Sequence, residues 1–157
     1  MDLFVIMLFL HVLGAIVAFG PGFAAMVVGP MVAKEPQYAN FYARSQVLAG
    51  RRLVTPVSIS LAITGVAMIA LRGWPTLTGD KHWLEAGILL YVVAVIVAMA
   101  IQAPAGRKLV ELTAQPPVPG AGPSPELLKT AGRVRTGGIV LSALVVAITF
   151  LMIAKPF

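Results

Sequence analysis

Residues 3–32 read LFVIMLFLHVLGAIVAFGPGFAAMVVGPMV and include no Asp, Glu, Lys or Arg. A helix crosses a bilayer with about 20 apolar residues, so this stretch is long enough to span one and continue beyond it. A single segment in lipid must satisfy its own backbone hydrogen bonds, which predicts an α-helix. Pro21 removes a helical donor between two glycines, and we therefore expect a kink near it.

Three further apolar stretches are long enough to cross the membrane, at residues 53–71, 83–103 and 138–154. Each is a continuous apolar run without the alternation of a transmembrane strand, which excludes a β-barrel. Short connections between four such helices favour an antiparallel all-α bundle. We therefore predict a single integral membrane domain over residues 1–157.

The composition supports this class of protein. Of the 157 residues, 59% are hydrophobic and 11% charged, which excludes a water-soluble domain and a disordered chain. The sequence has no cysteine, which excludes disulfides, thiolate zinc sites and iron–sulfur clusters. The formal net charge of +6 is explained by loops that face anionic lipid, because no basic run lies on a soluble domain that could bind nucleic acid.

The connections between the spans carry signals of their own. Pro36 suits a first helical turn and Gly50 suits a helix end, so residues 36–49 are predicted to form a separate helix in the headgroup region. Residues 115–125 hold five of the 12 prolines, which predicts a stiff, solvated cytoplasmic linker. Ser124 and Pro125 then have the pattern of the cap and first turn of a helix that leads into the fourth span.

Basic residues are unevenly distributed between the two sides of the predicted bundle. Nine of the 12 lie in the first and third connections, whereas Arg72, Lys81 and Lys155 lie on the other side. The positive-inside rule therefore puts these connections in the cytoplasm and both termini on the outer face of a bacterial cytoplasmic membrane. The nine are Lys34, Arg44, Arg51, Arg52, Arg107, Lys108, Lys129, Arg133 and Arg135.

A stripe of small residues runs along the first span, formed by Gly14, Ala18, Gly22 and Ala25. Lipid supplies no hydrophobic drive for helix association, so small side chains matter because they let backbones approach closely. The stripe predicts close packing within the bundle. It also suits self-association or a place in a larger membrane complex.

His11 is the one imidazole predicted to lie within the membrane, where an ionisable group is a functional-site hypothesis by default. It shares a helical face with Gly14 and is therefore expected to face protein. Counted from the helix ends, Tyr91, Thr64 and Thr149 lie near its depth. One interpretation is structural: a neutral histidine, hydrogen-bonded to Tyr91 or Thr64 within a belt of buried hydroxyl groups.

A second interpretation is a cofactor or metal site. Met7 lies four residues before His11 on the same helical face, and Met68 is expected near the depth of Met7. Thioether and imidazole ligands suit Cu(I), and a His/Met pair can ligate haem iron. His11 and Met7 are therefore candidate ligands of haem b or copper, with Met68 as a third candidate for Cu(I). Methionine is also an adaptable filler of apolar cores, which leaves the structural interpretation open.

Two runs carry a family resemblance, LFLHVLGAIVAFGPGF (8–23) and WLEAGILLYVVAVIVAMAIQAPAGRKL (83–109). Together they resemble an uncharacterised family of bacterial four-helix integral membrane proteins, and the resemblance covers most of the chain. That family is distantly similar to the CopD-type copper-resistance proteins and to the HemJ-type protoporphyrinogen oxidases. The resemblance implies a four-helix membrane fold and a role for His11.

The HemJ-type enzymes pair a histidine of their first helix, matched here by His11, with a lysine shortly after a tryptophan on a later helix. After Trp83, this chain has Gly87 where that lysine is expected, and Ala18 in place of an aromatic residue. This departure argues against protoporphyrinogen oxidation and leaves haem binding at His11 open. The CopD-type relatives imply copper ligands only at His11 and Met7.

The sequence contains no nucleophile–base pair, phosphate-binding loop or paired carboxylates, so we assign no catalytic residue and do not expect a hydrolytic enzyme. It favours a structural or accessory component of the inner membrane or of a membrane complex. The alternative is a haem- or copper-binding protein that uses His11. The predicted partners are the bilayer, anionic lipids at the cytoplasmic face, and a second copy or a larger membrane complex.

Overall fold

The computed structural model describes residues 2–72, 82–115 and 122–155. Within these ranges the chain forms four long helices and no strand: α1 (Leu3–Lys34), α2 (Pro36–Arg72), α3 (His82–Leu112) and α4 (Pro125–Ala154). All four are long and apolar enough to cross a membrane, which confirms the predicted all-α membrane fold. Lys81 and the middle of the predicted Pro-rich linker, residues 116–121, lie outside the described residues.

The first and last helices begin at side-chain caps. Asp2 accepts a hydrogen bond from the backbone N–H of Phe4 at 3.2 Å, and Ser124 accepts one from Leu127 at 3.2 Å. These oxygens satisfy backbone donors that have no partner within the helix. The chain of α1 then stays helical through Pro21 and on to Lys34.

Residues 36–49 do not form a separate helix, because the chain continues through Gly50 into the second span. A 3-10 turn and an α-helical segment, Ala39–Ala49, lead into a π-helical turn at Gly50–Val54 and then into Thr55–Arg72. Gly50 has φ −56° and ψ −47°, so it continues a right-handed helix instead of ending it. The carbonyl of Gly50 accepts from the backbone N–H of Thr55 across the wider turn and from the hydroxyl of the same residue at 2.8 Å.

The third span extends in the same way beyond the predicted residue 103. A π-helical turn at Ala98–Gln102 joins His82–Val97 to a further α-helical segment, Ala103–Leu112. Pro104 lacks a backbone N–H and its ring crowds the preceding turn of a regular α-helix. The wider π-turn just before it accommodates the proline without ending the helix.

The four helices pack as antiparallel neighbours around a ring. α1 lies against Thr55–Arg72 of α2 and against α4, and α4 lies against α3. The ring closes between Ala39–Ala49 and Ala103–Leu112, which pack against each other beyond the two π-turns. We call this end of the bundle, which holds the α1–α2 connection, the basic end. The opposite end, with Asp2 and Lys155, is the terminal end.

The small-residue stripe of α1 is used for packing within the chain. Gly14 faces Leu61 of α2, where a Cβ atom would lie 3.3 Å from the leucine Cγ. Ala18 is buried, with 3% of its surface exposed. A Cβ at Gly22 would lie 3.9 Å from the hydroxyl oxygen of Ser142 on α4. These residues therefore allow α2 and α4 to pack closely against α1.

Candidate functional site at His11

The imidazole of His11 lies between α1 and α2. Its Nδ1 atom is 3.0 Å from Oγ1 of Thr64. The ring packs over Gly65, where a Cβ atom would lie 3.4 Å from its Cε1 atom. Because Gly65 has no side chain, the half-buried ring can pack closely against α2 at this position.

The hydroxyl of Thr64 contacts carbonyl oxygens of its own helix as well as His11, and this favours one imidazole tautomer. Oγ1 of Thr64 lies 2.8 Å from the carbonyl oxygen of Ser60 and 3.1 Å from that of Leu61. A threonine hydroxyl has one proton, and here it is donated to the threonine's own helix. With that proton on its own helix, Oγ1 accepts from His11 in the Nδ1–H tautomer, and in this tautomer Nε2 keeps its lone pair for another partner.

Two further pairs set the antiparallel register of α1 and α2. Toward the terminal end, the guanidinium of Arg72 lies 4.2 Å from the centre of the Phe4 ring. Toward the basic end, Gly14 faces Leu61. The His11–Thr64 pair lies between them. We call the contact line defined by these three pairs the α1–α2 seam.

Met7 and Met68 fall opposite one another in this register, because each lies four residues from His11 or Thr64 toward the terminal end. Four residues correspond to about 6 Å along a helix axis. Both methionines are half-buried. The three residues that the sequence singled out as ligands, His11, Met7 and Met68, therefore lie along one seam.

The three hydroxyl groups predicted to lie near His11 form hydrogen bonds with different partners. The structure brings Thr64 to His11, whereas the hydroxyl of Tyr91 donates to the backbone carbonyl of Ser58 at 2.6 Å and so joins α3 to α2. Thr149 is exposed and donates to Val145 of its own helix at 2.8 Å. Depth along a helix is readable from sequence, but the direction in which each hydroxyl points depends on packing.

Other residues near the terminal end lie away from the seam. The Met152 methyl group packs against Gly87 in the contact between α4 and α3. Exposed His82 lies 3.4 Å from the carboxylate of Glu85. Within the described ranges, no three His, Cys, Asp or Glu side chains come together as a metal-binding group.

A family model described as predicted integral membrane protein (DUF2269) matches residues 5–156. This match covers nearly the whole chain, including all four spans and both sides of the seam. The chain belongs to the DUF2269 family. No curated protein and no solved structure matches it. The family description agrees with the four apolar helices of this DUF2269 protein and names no activity.

Two surface grooves of this DUF2269 protein were not expected from its sequence. One is an open groove of about 600 Å³ between α1 and α4, and the other is an open groove of about 490 Å³ between α3 and α4. The pair Ala143 and Ala147, spaced like the stripe on α1, was the available sequence signal for the first groove. For the second, the signal was the presence of Lys108 and Arg133 close to the ends of apolar runs.

Proposed function

We propose that this protein is an accessory component of the bacterial cytoplasmic membrane that associates with a second copy of itself through the groove between α1 and α4. The observation that carries the proposal is the shape of that groove. On α4 it is lined by the small side chains of Ser142, Ala143 and Ala147, and bulky side chains, among them Phe23 and Phe150, also line it.

Small residues four positions apart let two transmembrane helices approach closely. Two copies in one membrane share their orientation, so a two-fold axis along the membrane normal would bring α4 against α4 in parallel. Ala143 is exposed on this face, whereas Gly14 and Ala18 of α1 are occupied by contacts within the chain. The groove is therefore a small-residue surface that is open to a neighbour.

Disulfide cross-linking tests this association directly, because the natural chain has no cysteine. In native membranes under mild oxidation, Ala143→Cys is expected to give a covalent dimer. The control is Ile96→Cys on α3, where the side chain is 58% exposed. The α3–α4 contacts Gly87–Met152 and Gln102–Gly137 put residue 96 at the depth of residue 143. No dimer from Ala143→Cys, or equal dimer from both variants, would reject the proposal.

The proposed orientation puts the basic end in the cytoplasm and both termini outside. It is supported by the nine Lys and Arg residues of the first and third connections. A membrane-impermeant maleimide should label Phe157→Cys in intact spheroplasts and should label Gly122→Cys only after permeabilisation. The opposite pattern would reverse the orientation.

A second candidate function, Cu(I) binding at His11, is supported by the register of the α1–α2 seam. One imidazole with a free Nε2 and two thioethers is a ligand set that suits Cu(I). The three rotatable bonds of methionine let Met7 and Met68 reach a common point. Close contact at Gly65 favours a single ion over a porphyrin between these helices.

Competition for Cu(I) with a coloured chelator, in detergent, tests this candidate. The wild-type chain should bind one Cu(I), and both His11→Ala and Met68→Leu should lose it. Met99→Leu, at a methionine that is 72% exposed on α3, should retain it. Unchanged binding in His11→Ala would exclude the site. A Soret band that is present in the wild type and lost in His11→Ala would replace copper with haem.

A further inference from the structure

We propose that the groove between α3 and α4 at the basic end binds one anionic phospholipid. The phosphate would be held by Lys108 and Arg133, with an acyl chain along Ala100 and Ile101. These four residues line the open groove, whose volume is about 490 Å³. The site lies on a different face from the α1–α4 groove and does not depend on dimer formation.

The lining of the groove changes from apolar to polar along the membrane normal. Its inner part is formed by Ala100, Ile101 and Ala105, and its outer part includes Lys108 and Thr130. From residue 100 to residue 108, α3 rises by about 12 Å toward the basic end. The hydrocarbon core of a bilayer is about 30 Å thick, and the headgroups extend it to about 40–45 Å, so this rise is enough to pass from acyl chains to phosphates.

The charges at the outer part of the groove suit a phosphodiester. Arg133 is exposed and forms no ion pair with any described residue. The Lys108 ammonium lies 3.3 Å from the Glu126 carboxylate and 4.0 Å from that of Glu111, and all three side chains are about half exposed or more. Exposed pairs of this kind contribute little to stability, so a lipid phosphate can replace the Glu126 carboxylate on Lys108.

The inner part of the groove favours a lipid over free phosphate. The π-helical turn Ala98–Gln102 supplies both Ala100 and Ile101, and such turns often occur at functional sites. A free phosphate ion would contact only the basic outer part. An acyl chain would also bury the apolar inner part, which adds affinity that is independent of the headgroup charge.

Lipid titration of the delipidated protein, followed by native mass spectrometry, tests the site. Phosphatidylglycerol should bind with one high-affinity site, and phosphatidylcholine should bind at least tenfold more weakly. Arg133→Gln should weaken phosphatidylglycerol binding about tenfold, the loss expected for one charge-assisted contact. Arg135→Gln is the matched control, since it removes the same charge from the same helix outside the groove, and its effect should stay below twofold.

Two further variants should act in opposite directions. Ala100→Phe fills the inner part without changing any charge and should weaken phosphatidylglycerol binding. Glu126→Gln removes the nearer of the two carboxylates beside Lys108 and should strengthen binding severalfold. Inorganic phosphate at millimolar concentration should not compete.

Equal losses in Arg133→Gln and Arg135→Gln would show diffuse attraction to the surface. Competition by phosphate together with an unchanged Ala100→Phe variant would identify a free-phosphate site. Either result would overturn the proposal.

Discussion

The Nδ1 atom of His11 on α1 lies 3.0 Å from Oγ1 of Thr64 on α2, and this contact joins the first two membrane helices. Thr64 is 6% exposed, so its hydroxyl lies away from lipid. The pair therefore holds α1 against α2 at the seam. It also leaves Nε2 of the imidazole on the side of the ring away from Thr64.

Replacing Thr64 by valine should destabilise the fold by removing this interhelical bond. Membrane hydrogen bonds contribute about 0.6 kcal/mol on average, and we expect a coupling of this size in a cycle of His11→Leu and Thr64→Val. The free energy of unfolding in mixed micelles gives the measurement. Thr149→Val is the control, because that hydroxyl bonds only its own helix. Zero coupling would mean that the contact contributes nothing to stability.

Gly137→Ala should cost more than the same change at the next residue. The Gln102 side chain lies against Gly137 so closely that an added Cβ would collide with Oε1, an atom that is buried and without a hydrogen-bond partner in the described structure. Overpacking costs about 1–3 kcal/mol, and we expect a value at the low end because Oε1 ends a flexible side chain that can rotate away. Gly138→Ala, where nothing lies within 4 Å, should be neutral or slightly stabilising. Equal effects of the two changes would contradict this packing.

The spans could be predicted because hydropathy alone determines which residues enter lipid. The residues at which the helices stop near the basic end could not be predicted in this way. Gly50 and Pro104 are strong local signals for a break, yet each lies in or next to a π-turn that lets the helix continue. In an apolar environment an interrupted helix leaves backbone groups unsatisfied, and this cost outweighs the local preference of one residue.

The residues of the candidate site could be predicted from the sequence in part. His11 stands out because an imidazole is rare in a membrane span, and the depth of Thr64 follows from a count along its helix. The bond from Tyr91 to Ser58 was not predictable, because depth does not give the direction of a side chain around the helix axis. The pairing of Met7 with Met68 needs the register, which the contacts Phe4–Arg72 and Gly14–Leu61 supply.

Tyr91→Phe should weaken the link between α3 and α2 within the membrane. Its hydroxyl donates to the Ser58 carbonyl, which already accepts a helical bond, so the loss should stay at about 0.6–1.7 kcal/mol. Tyr38→Phe is the control, at a tyrosine that is 54% exposed. The two variants should differ in the free energy of unfolding measured under identical conditions. Indistinguishable values would show that the hydroxyl has no role in joining these helices.

Asn40→Leu should separate the helical extensions at the basic end while the membrane spans stay intact. The Asn40 amide donates to the carbonyl of Val110 at 3.0 Å and to the hydroxyl of Thr113 at 3.2 Å, so one side chain ties α2 to the end of α3. Losing these two bonds should cost about 1–3 kcal/mol.

The cost of Asn40→Leu should appear locally. Hydrogen exchange should become faster in Ala39–Ala49 and Ala103–Leu112, because these segments lose their mutual contact while the helices beyond the π-turns keep theirs. Gln37→Leu, at an exposed amide one turn earlier, should leave exchange unchanged. Faster exchange throughout all four helices would instead mean that Asn40 stabilises the whole bundle, and unchanged exchange would mean that the two extensions are held together by apolar packing alone.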